Sequence, residues 1–186
     1  MKQELKNHLL PLLAILLITS FVWIFKKVVW YDFVFLFFGF AWGSFLLDLD
    51  HLIYWLYLEP NLEESHLAQN AWKKGDYLSI IKLMESTQNQ HTNLIFHHYF
   101  FQIVLTIISF FVFTSSSSVF PKAFLLAINL HLLVDEIKDF SENPEHLRQW
   151  LFARENKQLA LNSLKYYLGI FVLLNLIFSL LLISSK

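Results

Sequence analysis

The chain contains no cysteine. Disulfides and thiolate metal sites are therefore excluded, although absence of the residue fits either redox compartment. Charge is also scarce, with Asp, Glu, Lys and Arg together making up 16% of the 186 residues. Soluble domains run near about 25% charged, so the balance points toward lipid as the solvent. The net charge is −1 and no basic cluster occurs, which argues against a nucleic-acid partner. No internal repeat is present, the only low-complexity tract is the serine run 115–118, and nothing resembles the alternating pattern of a membrane barrel. No small-x-small cleavage site follows the first apolar run. Lys26, Lys27 and bulky aromatics come instead, so that run reads as a retained helix rather than a signal peptide.

Apolar and aromatic residues fill the space that charge leaves. Hydrophobic types make up 56% of the chain, including 20 Phe. A soluble core of this size has no room for that much apolar surface. Spanning a bilayer as a helix takes about 17–25 apolar residues. Five runs approach that length, at residues 9–25, 33–58, 94–113, 119–137 and 166–183. Helices are the expected spans, because backbone groups in lipid must pair within the segment. The expected fold is all-α: one polytopic membrane domain over residues 1–186, with about five transmembrane helices. Residues 145–164 read as an amphipathic helix at the interface, with Leu147, Trp150, Leu151 and Leu161 as its apolar members. The polar connection 59–93 carries a helix-like stretch near residues 77–84.

Orientation follows from Lys and Arg. A cytoplasmic N-terminus puts Lys2, Lys6, Lys73, Lys74, Lys82, Lys138, Arg148, Arg154, Lys157 and Lys165 inside, against Lys26, Lys27, Lys122 and Lys186 outside. The expectation is a cell (inner) membrane protein with its N-terminus in the cytoplasm and its C-terminus outside.

Three polar groups interrupt the apolar runs. An ionisable side chain within a span is costly and is a functional candidate by default. The groups are Asp48-Leu49-Asp50-His51, then His97-His98, then His131 with Asp135. Residues three or four apart share a helix face, so Asp48 with His51, and His131 with Asp135, can each point one way. Mixed imidazole and carboxylate donors suit zinc, and also manganese or iron. Asp50 sits about 160° around a regular helix from Asp48, so both reach one site only where the helix is irregular or where one acts from behind the other. In an up-down topology all three groups fall at the same membrane face, on the cytoplasmic side by the charge count. The candidate metal ligands are Asp48, Asp50, His51, His97, His131 and Asp135. His91 is a further candidate just before the third run. His98 reads as an interface residue, and His8, His66 and His146 as solvated ones.

The segment from Gly43 to His51 resembles the Gly-x-x-x-Pro-Asp-x-Asp-His signature of small bacterial and archaeal membrane-bound metal-dependent hydrolases. His97-His98 is similar to that family's later His-Ser element, and His131 to Asp135 to its closing His-x-x-x-Asp. Leu47 stands where the family has Pro, and His98 where it has Ser. The resemblance covers residues 43–135, in matching order. It implies a divalent metal, zinc first, and hydrolysis of an ester or phosphoester. A metal-bound water would then be the nucleophile, with Asp50 or Glu136 moving its proton. A site at the cytoplasmic interface could reach a lipid headgroup or an amphiphilic phosphoester, with the lipid bilayer as surroundings.

Two rival readings follow from the same residues. The cluster could be a structural metal or ion-pair network in a non-catalytic membrane protein. A transporter would need polar groups through the full membrane thickness, whereas the outer halves of the runs read as apolar. Haem between His97 and His131 is disfavoured by the adjacent carboxylates.

Overall fold

A computed structural model describes residues 2–87, 90–156 and 159–186, with side chains from Leu9 onward. Of the charges used for orientation, the side chains of Lys2 and Lys6, and Lys157, lie outside the described residues; so does the side chain of His8. Among the described residues the chain is all-helical and has no strand. The helices are α1 (Lys2–Phe25), α2 (Trp30–Leu46), α3 (Leu49–Ile53), α4 (Glu63–Lys74), α5 (Tyr77–Thr87), α6 (Tyr99–Ser115), α7 (Val119–Glu142), α8 (Pro144–Leu151) and α9 (Leu161–Ser184), with a π-helical turn at Tyr54–Leu58.

Helix α7 forms the axis of the bundle and packs against α1, α2, α6, α8 and α9. Its residues from Leu125 to Leu133 are all buried. The surrounding helices face inward with one stripe and outward with another apolar one. Leu17, Phe21, Phe37, Trp42, Phe111 and Leu173 are all exposed on that outer surface. By length and composition, Trp30–Leu58 and Leu161–Ser184 are long and apolar enough to cross a membrane, while Leu9–Phe25 and Tyr99–Ser115 are shorter apolar stretches. Among the described residues two helices therefore meet the length and composition of a span, short of the five expected.

The closest helix contact has a local cause. Gly39 and Gly43 lie four apart on α2 and face Ala123 and Ala127 on α7. A Cβ at Gly39 would sit 2.7 Å from the Ala123 Cβ, and one at Gly43 would sit 2.7 Å from the Ala127 Cβ. Small residues spaced by four let two backbones approach. This pair of glycines was not singled out as a packing signal from the sequence alone.

Three expectations need correction. The second run is not one regular helix: a turn at Leu47–Asp48 separates α2 from α3, and the Glu59 amide then bonds to the Tyr54 carbonyl, five residues back. The third helix begins at Tyr99, so His97 precedes it, and His98 is its N-cap, its Nδ1 accepting from the Phe100 amide at 3.3 Å. The expected interfacial helix over 145–164 is only α8, Pro144–Leu151. Its apolar members Leu147, Trp150 and Leu151 are buried against Leu164 of α9 rather than offered to lipid. Asn143 starts α8 by accepting from the His146 amide, and Pro144 occupies its first turn.

The connection between residues 59 and 93 is more ordered than its polarity suggests. It holds α4 as well as α5. Acidic Glu63 and Glu64 open α4 and basic Lys73 and Lys74 end it, which matches the helix dipole. Gly75 then adopts φ +70°, and the amides of Gly75 and Asp76 close on Trp72 and Ala71. Asp76 starts α5 by accepting from the Ser79 amide and hydroxyl, at 3.1 and 2.7 Å, and these bonds hold its carboxyl below the usual range. The α4–α5 hairpin packs through Ala68 and Ile80 onto Tyr54, Trp55 and Leu94, capping the end of the bundle where the polar groups gather.

Gly43→Val is expected to destabilise the protein by about 1–3 kcal/mol through overpacking against α7. Gly169, whose added Cβ would meet nothing within 4 Å, supplies the control: Gly169→Ala should leave stability unchanged. Unfolding in mixed micelles, followed by circular dichroism, checks the contrast.

Candidate metal centre

The α2–α7 contact sets the distance between the polar groups. His131 on α7 lies opposite the last turn of α2, and its Nδ1 donates to the Ser44 carbonyl at 2.9 Å. The carbonyl of Ser44 is available because the helix stops at the Leu47–Asp48 turn. With Nδ1 committed as a donor, a neutral ring presents a lone pair at Nε2. That nitrogen lies 3.6 Å from Asp135 Oδ2 and 4.0 Å from Asp48 Oδ1.

His97 reaches the same place from the other side. Its Nδ1 lies 3.2 Å from Asp50 Oδ2 and its Nε2 lies 3.5 Å from Asp135 Oδ2. Asp50 has 0% exposure. It also accepts the Ile95 amide at 3.1 Å and the Phe96 amide at 2.6 Å. Its carboxylate therefore holds the non-helical strap 95–97 and orients His97, in the carboxylate–histidine arrangement common behind metal ligands. Two residues apart, the carboxylates point about 160° away from each other, so Asp48 lies beside His131 of α7 while Asp50 holds the strap. Asp50 thus sits behind His97, with both oxygens engaged, and does not face the open site as the proton carrier expected of it.

His51 is buried nearby, with its ring centroid 5.8 Å from that of His97. Its Nδ1 lies 2.7 Å from His91 Nδ1, and His91 Nε2 lies 3.2 Å from Glu64 Oε1. Burial pushes the His91 imidazole below its usual pKa, with Glu64 opposing. Glu64 was not singled out by sequence reasoning. It looked like one charge of a solvated connection, and only the return of α4 over the bundle brings it here.

Glu136, the other expected proton carrier, is placed elsewhere. It has 0% exposure, and neither carboxyl oxygen has a hydrogen-bond partner. It does not line the cavity described below. It neighbours Asp135 in sequence, but one helical step turns it about 100° away, toward Gln102 of α6 and Tyr167 of α9. Those two bond to each other. His98 also stays out of the cluster, as the α6 cap. His146, read as solvated, instead pairs with Asp139 at 2.7 Å, and Trp150 Nε1 donates to the same carboxylate.

The premise that the outer helix halves are apolar also needs correction. Ser109, Asn129, Asn175 and Ser179 are buried along α6, α7 and α9. Asn129 Nδ2 donates to Ser109 Oγ at 3.0 Å, joining α7 to α6, while Asn175 and Ser179 bond within α9. Interhelical amide and hydroxyl pairs of this kind hold apolar helices together.

Above the cluster opens a cavity of about 670 Å³. Its floor carries Asp48, His51, His91, His97, His131 and Asp135. Its walls are apolar and come from α1 (Leu9, Leu12), α2–α3 (Phe45, Leu49) and α5 (Ile80, Met84), among others. Lys138 and Glu85 also border it.

The donor set fits a divalent cation in its chemistry. Nε2 of His97, Nε2 of His131, Asp135 Oδ2 and Asp48 Oδ1 converge, and in neutral rings all four are acceptors. Facing acceptors need a proton or a cation between them. The separations of 3.5 and 3.6 Å exceed the roughly 2.7–2.9 Å of a charge-assisted hydrogen bond. They approach the spacing of about 3.3–3.4 Å between two ligands of one tetrahedral zinc. Among the described residues, no three His, Asp or Glu side chains already stand in the arrangement of a metal site.

No family model, no curated protein and no solved structure matches this chain.

Asp50→Ala should lower stability by roughly 1–3 kcal/mol for each backbone amide left without an acceptor. Asp48→Asn, at a half-exposed side chain facing the cavity, should leave stability nearly unchanged. Thermal unfolding of the metal-free variants tests the difference.

Proposed function

We propose that this chain is a membrane-embedded, metal-dependent hydrolase of an ester or phosphoester carried on a lipid or other amphiphile. The observation that carries the reading is a run of close approaches at the cavity floor: Asp135 Oδ2 lies 3.5 Å from His97 Nε2 and 3.6 Å from His131 Nε2, which in turn lies 4.0 Å from Asp48 Oδ1. The apolar outer surface of α1, α2, α6 and α9 supports membrane insertion. The two long apolar helices serve as firm spans, and α1, α6 and the enclosed α7 make up the count of five. The Lys and Arg distribution supports a cytoplasmic N-terminus and an external C-terminus in the cell membrane, with the site on the cytoplasmic side.

His97, His131 and Asp135 would hold the metal, with a water at the open position and His51 as an adjacent further donor. Zinc suits these donors best, with manganese or iron as substitutes. A bound divalent ion would supply a water acidified toward ~7 and a Lewis acid for the ester oxygen. The protein's own contributions are distinct. Asp50 and the Ser44 carbonyl engage Nδ1 of two rings and so orient them from behind. Asp48, on the open side of the cluster, is placed to accept a proton from a water at the floor. The apolar walls from α1 and α5 exclude bulk water and match an acyl or prenyl chain, while the floor matches a polar headgroup.

Elemental analysis of protein purified in detergent should find about one zinc, manganese or iron per chain, as one four-donor site requires. The His131→Ala, Asp135→Ala double variant should lose it. Absence of metal in wild type after reconstitution with zinc would sink the hydrolase reading and leave a structural ion-pair cluster.

A further inference from the structure

Of the four imidazoles at the cavity floor, His51, His97 and His131 each have Nδ1 engaged by a different partner. His97 Nδ1 meets the Asp50 carboxylate and His131 Nδ1 meets the Ser44 carbonyl. For His51 the partner is another histidine, His91, and on its own that contact leaves the proton's position open.

We infer that Glu64 and His91 are positioning residues for His51: the chain Glu64–His91–His51 puts the proton on His51 Nδ1 and turns a bare Nε2 toward the cavity.

The direction of the chain follows from its far end. A carboxylate offers only acceptors, so His91 Nε2 donates across the 3.2 Å to Glu64. A ring with one proton then accepts at its other nitrogen. The partner of His91 Nδ1, at 2.7 Å, is His51 Nδ1, which must therefore donate. His51 Nε2 is left with its lone pair. The opposite direction would require a proton on Glu64 or a second one on His91, which burial of that ring disfavours.

The His91 ring cannot easily turn to undo this. It is 1% exposed. It stacks on Tyr54 with centroids 4.1 Å apart and an interplanar angle of 22°, and Trp55 meets it edge-on at 5.5 Å. Both aromatic residues belong to the π-helical turn, which joins the cap to the site. Glu64 itself sits on α4, so the placement of the cap reaches the floor of the cavity through two hydrogen bonds. All three rings then obey one rule, Nδ1 anchored and Nε2 presented, which is how histidine is prepared to donate a lone pair.

Use of that lone pair rests on the metal reading proposed above; the proton positions do not. The test is therefore made first on metal-free protein. Long-range proton–nitrogen correlation spectra of ¹⁵N-histidine-labelled protein in micelles report which nitrogen of each ring is protonated. The expected result is His51 protonated at Nδ1 and His91 at Nε2. Glu64→Met removes the acceptor and should shift His51 toward the Nε2–H form, whereas Glu64→Gln, whose carbonyl still accepts, should preserve the wild-type pattern. His91→Phe keeps the stack on Tyr54 and should also release His51. A wild-type His51 carrying its proton on Nε2 would overturn the chain, as would an unchanged His51 in both Glu64→Met and His91→Phe. Zinc titration then separates the two ideas. Affinity should fall about 10- to 100-fold in Glu64→Met, the usual effect of losing an outer-shell partner, and recover in Glu64→Gln. Should the proton positions hold while zinc never binds, the chain stands and the metal reading falls. Zinc bound to a protein whose His51 is protonated at Nε2 would keep the metal reading and remove the chain.

Discussion

The rest of the molecule depends on the close approach of α2 to α7. Gly39 and Gly43 lie against Ala123 and Ala127 with no space for another carbon. Packing this close is rewarded by van der Waals contact even where lipid removes the hydrophobic drive between helices. It fixes the last turn of α2 beside the middle of α7. That register lets His131 reach the Ser44 carbonyl, and it brings Asp48 within 4.0 Å of the same ring. A bulkier pair of helices would separate those groups, and α7 could not serve as the axis on which α1, α6 and α9 also rest.

The polar groups around that contact are expensive to bury, and the structure meets the cost in two ways. Some are fully satisfied. Asp50 accepts two backbone amides and one imidazole, which offsets the desolvation of a completely enclosed carboxylate. Others face one another across gaps wider than hydrogen bonds, and these are concentrated on the cavity floor. The first kind holds backbone and rings in place. The second kind lines the cavity.

The cap joins these two parts. Helices α4 and α5 carry ordinary start and stop signals, and their apolar faces sit on the π-helical turn. One result is an apolar wall over a polar floor. Another is a path of hydrogen bonds from Glu64 through His91 to His51. A wide turn of five-residue spacing is what presents Tyr54 and Trp55 to the His91 ring.

The all-helical character was legible in the sequence, because long apolar runs without alternation leave the backbone only helical ways to pair its own groups. The Asp, His and His-x-x-x-Asp groups stood out for a related reason: ionisable residues in apolar runs need a justification that local structure does not supply. Helix α4 and the close contact of Gly39 and Gly43 with α7 were not anticipated, because polarity masked the first and small residues stand out only once a partner helix lies against them. Nor were the roles within the site. Asp48 and Asp50 differ by two positions and so face nearly opposite ways on a helix, but which one meets α7 and which holds a strap 45 residues away depends on how α2 is turned against α7. Glu136 looked like a base beside Asp135, but a single helical step turns it away from the cavity. Glu64 looked like a surface charge until the cap folded over. Hydrogen-bond partners distant in the chain decide which face a donor shows, and only tertiary structure selects those partners.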